Sequence, residues 1–183
     1  MNTMRINFAA MLFFLLGIGL MNHANAQRID PRWYYNINAG IIVPHDDANV
    51  DDVKIVDLRL GKSINQNWSY EYEIFANRYN FTSNDDLQQQ GFMVNFLAIN
   101  NEPLWRPYFL MGGGLIRHQS RHESGINPVF TVGIGGSWYF FGDNIRLRAQ
   151  VVSRLDLNDN DLAGQRGMGD GVFTLGLSIP LGH

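Results

Sequence analysis

The sequence contains no cysteine and no apolar run long enough for a membrane-spanning helix. Such a helix needs about 20 consecutive apolar residues, and the run from Phe8 to Met21 is shorter. It follows Arg5 and precedes Ala24-Asn25-Ala26, a small-residue pattern typical of signal-peptide cleavage. We therefore predict a cleavable signal peptide at residues 1–26, with an uncleaved N-terminal anchor helix as the alternative.

The exported part, residues 27–183, is expected to be a single domain. Without cysteine it has neither disulfides, nor thiolate chemistry, nor lipid attachment at the cleavage site. Loss of Arg5 with the signal leaves 13 basic and 17 acidic residues, a net charge of −4. A nucleic-acid partner is therefore not expected, and no cofactor is indicated. Stability must come from sheet closure and burial.

Segments of about ten residues with alternating apolar and polar side chains recur along the exported part, separated by turn-rich pieces. The pattern predicts an all-β fold, an eight-stranded antiparallel up-and-down transmembrane β-barrel. The number is even, as in bacterial single-chain barrels. The predicted strands are Trp33 to Val43, Lys54 to Ile64, Trp68 to Tyr79, Gln88 to Ile99, Pro107 to His118, Pro128 to Phe141, Ile145 to Leu157 and Gly171 to Leu181.

The connections between these strands alternate in length. Outer-membrane barrels have short periplasmic turns and longer external loops, whereas a soluble sandwich has no reason to sort its loops. The sorting therefore favours a membrane barrel over a soluble periplasmic sandwich. The short connections are Asn65 to Asn67, Asn100 to Arg106 and Gly142 to Asn144, and the longer ones are Pro44 to Val53, Asn80 to Leu87, Gln119 to Asn127 and Asn158 to Asp170.

Each predicted strand has an apolar face and a polar face. In the second strand, for example, Val56 and Leu58 fall on the side opposite Asp57. On a membrane barrel the apolar face meets lipid, and charges of both signs on the other face predict paired side chains in a narrow lumen. On a sandwich the same charges would be solvated. The predicted lumen charge network consists of Asp57, Arg59, Glu71, Glu73, Arg146, Arg148 and Arg154.

The four tryptophans all map to the end of the barrel with the short turns. Trp and Tyr prefer the membrane interface, where one end of the ring is wet and the other is apolar. The tryptophans therefore predict an aromatic girdle on the periplasmic side. Its members are Trp33, Trp68, Trp105, expected within the second short turn, and Trp138.

Several motifs recur in a familiar order: Trp33-Tyr34-Tyr35 with Gly40, Arg106-Pro107-Tyr108 before Gly112-Gly113-Gly114, Gly133-x-Gly135, and the closing segment Thr174 to Leu181. In this order and spacing they resemble the N-terminal barrel of OmpA-type outer-membrane proteins, over nearly all of the exported part. The resemblance implies the outer membrane of a Gram-negative bacterium, with outer-membrane lipid and lipopolysaccharide as partners. It also implies an assembly signal for the barrel-assembly machinery, formed by Thr174, Gly176, Ile179 and Leu181.

Two features depart from that family. Many members continue into a peptidoglycan-binding domain, whereas this chain stops at Gly182-His183, so peptidoglycan anchoring is not expected. The final strand of the family often ends in Phe, and Leu181 stands in that register here.

No catalytic site is expected. The segment Arg148 to Ser153 resembles the strand of lipid A deacylases that carries a His two residues before the nucleophilic Ser. In this sequence Val151 occupies the position of the His, so Ser153 has no base beside it.

Other polar clusters fall in predicted loops. His118, Ser120, His122 and Glu123 include the residue types of a nucleophile with its base, or of a metal site, but loop side chains of this kind are usually solvated. Clustered carboxylates attract Ca²⁺, yet solvated loops are the commoner case, and no metal site is expected. These acidic stretches are Asp46-Asp47 with Asp51-Asp52, and Asp156 to Asp161.

The function expected from the sequence is a structural or interaction barrel whose lumen is filled by its own salt bridges. Eight strands leave an interior that side chains just fill, so a wide pore is not expected. The alternatives are a small ion channel, a lipid A-modifying hydrolase and a soluble periplasmic ligand binder. The loops identify no extracellular partner.

Overall fold

The structure is a computed structural model. It describes residues 32–44, 53–80, 86–100, 105–119, 124–141, 145–157 and 169–181. The predicted signal peptide lies outside the described residues, so the boundary at residue 26 stays a prediction. In these ranges the chain forms no helix with the length and hydropathy of a membrane span.

Eight antiparallel strands pair in chain order, and β8 pairs with β1 to close the barrel. The predicted fold class and strand number are therefore confirmed. The strands are β1 (Trp33–Pro44), β2 (Val53–Ser63), β3 (Trp68–Asn80), β4 (Asp86–Ile99), β5 (Trp105–Gln119), β6 (Ser124–Phe141), β7 (Ile145–Asp156) and β8 (Gly169–Pro180).

Strands β5 and β6 form a longer hairpin than the sequence predicted. Gln119 pairs with Ser124, which leaves residues 120–123 between the strands, so the predicted long connection from Gln119 to Asn127 is wrong. Gly, Asn and Pro near residue 127 favour turns in isolation. Here cross-strand pairing and a hydrogen bond from Asn127 Nδ2 to Asp156 Oδ2 (3.1 Å) hold them in β6.

The start of β5 also differs from the prediction. Trp105 pairs with Trp138 and belongs to the strand, not to the preceding turn. The difference in length between the connections at the two ends of the barrel is therefore smaller than expected. We call the end with connections 64–67, 100–104 and 142–144 the turn end. The opposite end, with connections 45–52, 81–85, 120–123 and 157–168, is called the loop end.

Apolar side chains cover the outside of the barrel. Val56, Ile74 and Leu175 are 55%, 55% and 63% exposed, whereas Asp57 and Glu71 on the alternate face are buried. A water-soluble sheet protein would turn these faces the other way, with its apolar face in the core. The predicted assignment of the two faces is confirmed, and the soluble sandwich is excluded as the fold.

Glycines bring neighbouring strands close together. At Gly114 on β5 a Cβ atom would overlap the backbone carbonyl of Phe92 on β4, and at Gly135 it would overlap the ring of Tyr108. Only glycine leaves that space free. The Gly-rich segments noted in the sequence therefore serve packing across and inside the barrel wall.

Candidate functional site

The inward-facing side chains form the candidate site, because the predicted functional residues of the described strands fall mainly among them. At the centre, Arg148 donates through Nη1 and Nη2 to the two carboxylate oxygens of Glu71. Arg59 Nη1 lies 3.5 Å from the same carboxylate. The bidentate contact between Arg148 and Glu71 is a strong, charge-assisted hydrogen bond, and it joins β3 to β7 across the lumen.

The remaining charges extend this pair into a network. Arg59 Nε donates to Asp57 Oδ1 (2.8 Å), and its Nη2 lies 3.4 Å from Glu73 Oε2. Arg154 Nη2 donates to the other Glu73 oxygen (3.2 Å). Six of the seven predicted charges are thus brought together, three of each sign. A buried charge without a partner is costly, and here each carboxylate faces a guanidinium.

Neutral polar groups complete the network. Tyr34 Oη and Asn36 Nδ2 both donate to Glu71 at 3.0 Å, and Asn95 Nδ2 donates to Glu73 at 2.7 Å. Gln150 Oε1 accepts hydrogen bonds from Arg59, Arg148 and Tyr108. The sequence prediction missed these residues. Their inward register was readable from the strand alternation, but their partners depend on how distant strands align.

Arg146 is the seventh predicted charge. It is half-buried at the turn end, with its guanidinium carbon 4.9 Å from the centroid of the Tyr139 ring. Together with Arg106 it lines a small cavity there.

An apolar layer lies on the loop-end side of most of the charges, and Arg154 reaches Glu73 from the loop-end side, with its guanidinium carbon 3.7 Å from the centroid of the Phe75 ring. On β3, for example, Phe75 follows Glu73 on the inward face, and on β7 Val152 follows Gln150. The sequence prediction of a polar interior therefore holds only for part of the lumen. The apolar layer takes a side chain from every strand: Ile42, Val53, Ile55, Phe75, Met93, Ile116, Val129, Val152 and Val172.

A second polar group lies beyond the apolar layer, at the loop end. His118 is 2% exposed. Its Nδ1 lies 3.1 Å from Gln89 Nε2, and its Nε2 lies 2.7 Å from Asp156 Oδ2. Tyr79 Oη donates to Asp170 Oδ2 at 2.7 Å. These hydrogen bonds hold the loop ends of the strands together.

The catalytic and metal alternatives for His118 lack support in the described residues. Ser120, His122 and Glu123 lie outside them, and the described part of the chain contains no group of three potential metal ligands. The acidic loops weighed for Ca²⁺ also lie outside, apart from Asp156, which contacts His118.

The deacylase-like segment faces the outside of the barrel at its key positions. Ser153 and Val151 are exposed on the outward face of β7, whereas His118, the one histidine of the described ranges, is in the lumen. The barrel wall therefore separates this hydroxyl from that imidazole.

The four tryptophans lie on the outward face at the turn end, as the strand alternation requires. Trp105 and Trp138 are cross-strand neighbours with ring centroids 4.8 Å apart, and Trp33 meets Tyr70 edge to face at 5.9 Å. The rings form a band around that end.

The residues of the predicted assembly signal divide between the two faces. Thr174 is buried and Gly176 abuts Asn38, both on the inward side. Ile179 lies on the outward face, and Leu181, just past β8, donates its backbone N–H to the Trp33 carbonyl (2.6 Å).

No protein-family model matches the sequence, and no curated protein matches it either. Solved structures match in fold. Neisserial surface protein A is 13% identical with a TM-score of 0.63 over 80% of this chain and 96% of its own. Ail, the attachment invasion locus protein of Yersinia pestis, is 16% identical with a TM-score of 0.58, over 84% of this chain and 100% of its own. The outer membrane enzyme PagL is 12% identical with a TM-score of 0.56, over 80% of this chain and 99% of its own. The chain thus has the fold of small outer-membrane barrels.

Proposed function

We propose that this protein is an outer-membrane barrel of a Gram-negative bacterium, with a structural or interaction role and a lumen closed to ions. The outward apolar surface is what the hydrocarbon of a bilayer requires. The aromatic band at the turn end suits the lipid–water interface on the periplasmic side. Ail, which shares the fold, is named the attachment invasion locus protein, and this likeness favours a role for the loops outside the cell.

The apolar layer is the observation that carries the closed lumen. Each strand contributes to it, and its members are at most 5% exposed. An ion crossing this layer would lose its water among apolar side chains, with the Arg154 guanidinium beside Phe75 already bound to Glu73, and this costs several kcal/mol or more. The charged side chains of the lumen network are already paired with one another.

Fractionation of a Gram-negative host that expresses the full chain tests the location. We expect the protein in the outer-membrane fraction, extracted by detergent and not by high salt. Depletion of the barrel-assembly machinery should reduce the folded form, because the last strand carries the proposed signal. Recovery of folded protein in the soluble periplasmic fraction would overturn the proposal.

Phosphorylated lipid is the proposed partner of the wall at the loop end. Lys54, Arg78 and Arg117 are exposed and face outward there on β2, β3 and β5. Arg78 is paired with Gln88, and Arg117 with Gln90, so the polar band is continuous across neighbouring strands. Lipopolysaccharide carries phosphates at this depth of the outer leaflet, and these cations suit them.

The lipid proposal predicts a charge-dependent stabilisation. Adding lipopolysaccharide to vesicles should raise the urea midpoint of the wild type, and the triple variant K54Q/R78Q/R117Q should lose most of that gain. Each cation contributes about 1 kcal/mol near an anionic surface. K62Q, with its charge on the outward face at the turn end, is the matched control. Equal stabilisation of the triple variant and the wild type would contradict this partner.

We propose no catalytic activity, although PagL shows that the fold accommodates an enzyme. The support is the separation of Ser153 from His118 by the barrel wall. Mass spectrometry of lipid A from expressing cells should show the acyl chains unchanged. Loss of an acyl chain that depends on Ser153 or Ser120 would overturn this part of the proposal.

A further inference from the structure

The cavity at the turn end of the lumen is lined from all eight strands. It lies on the barrel axis beneath the charge network, with Glu71 and Arg148 in its wall. Its volume is about 30 Å³. One water needs about 10–15 Å³, so the space suits a small inorganic ion.

The lining of the cavity is rich in hydrogen-bond donors. Arg106 and Arg146 enter from β5 and β7, and hydroxyls come from Ser63, Ser69, Ser137 and Ser178. Guanidinium groups and hydroxyls are the side chains that bind oxyanions in proteins.

The negative charge in this lining is already bound by hydrogen-bond donors. Among the described lining residues Glu71 is the one carboxylate, and it accepts hydrogen bonds from Arg148, Tyr34 and Asn36. Arg148 is in turn occupied by Glu71, Tyr108 and Gln150. The described lining thus holds three arginines against one carboxylate, a positive balance of two.

One donor in the cavity wall is buried without an acceptor. The Nε of Arg106 has no hydrogen-bond partner in the described residues and is shielded from solvent. Leaving such a group unsatisfied is unfavourable, and an anion in the cavity would supply the missing acceptor.

We propose that this cavity is an anion site for inorganic phosphate or a similar oxyanion, held by Arg106 and Arg146 with the serine hydroxyls around it. In the orientation of the proposed function the site faces the periplasm. The site itself does not depend on that orientation, since it is formed by the folded barrel alone.

Calorimetric titration of the folded full barrel with sodium phosphate, in zwitterionic detergent and chloride-free buffer, tests the site. We expect saturable binding of one phosphate per barrel, competed by sulfate. R106Q and R146Q should each weaken it about tenfold or more, since each removes a charged hydrogen bond. K62Q, a cation outside the lumen at the same end, should bind like the wild type.

The milder variants R106K and S137A are included because a variant that misfolds would also lose binding. Heat-dependent mobility on gels shows whether each barrel is folded. R106K keeps the charge but loses the fork, so its affinity should fall between wild type and R106Q. Absence of saturable binding in the wild type would overturn the proposal. Binding that survives unchanged in both R106Q and R146Q would overturn it too, and neither result would bear on membrane location or conductance.

Discussion

At the residue scale, Glu71 holds the centre of the lumen. Its carboxylate faces Arg148 and Arg59, and all three side chains are buried. The E71Q variant should lose about 3–5 kcal/mol of unfolding free energy, because it leaves buried guanidinium charge uncompensated. Urea titration in phosphatidylcholine vesicles, followed by tryptophan fluorescence, measures the loss.

Two further variants serve as comparisons for the unfolding free energy of E71Q. Adding Arg148→Met to E71Q removes the orphan charge and should recover part of the stability. K54Q, on the outward face, should stay within about 0.5 kcal/mol of the wild type. An E71Q barrel as stable as K54Q would show that the network contributes little.

His118 provides a second test at this scale. Asn77 Nδ2 donates to Gln89 Oε1 (2.9 Å), which turns the Gln89 Nε2 toward His118 Nδ1. Nδ1 is then an acceptor, so the ring should carry its proton on Nε2 and donate it to Asp156. Nitrogen-15 NMR at neutral pH should show this tautomer, whereas a proton on Nδ1 would mean that both amides are turned the other way.

The sequence predicted which charges face the lumen but not their partners. The period of two places Glu71 and Arg148 on the inward side without any structure. Their contact joins positions 77 residues apart and depends on the register of the intervening strands. Periodicity carries no information on that register. The same reason explains why Tyr34, Asn36 and Gln150 were missed.

At the element scale, each strand must keep its outward face apolar through the middle of the wall. Leu58 and Gln88 both face outward, the first in the middle of β2 and the second near the loop end of β4. In lipid vesicles L58K should cost about 2–4 kcal/mol and Q88K about 0–1 kcal/mol, because the penalty for a charge depends on its depth. Equal costs in urea unfolding would contradict a membrane-embedded wall.

Adjacent glycines on β5 test the strand packing. A Cβ at Gly114 overlaps the backbone of Phe92, whereas at Gly113 the nearest neighbouring atom, the Val129 carbonyl oxygen, is 3.5 Å away. G114A should lose about 1–3 kcal/mol by overpacking, and G113A should be close to neutral. The two urea midpoints give the comparison, and similar values for both variants would disprove the close approach of β4 and β5.

The strand ends were harder to predict than the strands. Gly125 and Asn127 look like turn residues, yet β6 begins at Ser124 because β5 pairs with it that far. The apolar layer was readable in part, since Phe75 shares a face with Glu71 and Glu73. The apolar layer was not predicted, because the whole lumen was expected to be polar.

At the scale of the whole molecule, the barrel combines an apolar exterior, a charge network and an apolar layer across its lumen. Closure of β1 on β8 encloses a single interior, which side chains far apart in the chain fill. The proposed function requires this interior to be closed to ions.

Conductance in planar lipid bilayers measures whether the lumen is closed. The wild-type barrel should insert without steady single-channel steps, because the apolar layer admits no hydrated ion. Thinning the layer with the double variant F75A/M93A should raise the frequency of current events. Steady single-channel steps from the wild type, changed in size by that double variant, would contradict the closed lumen and identify the protein as a small channel.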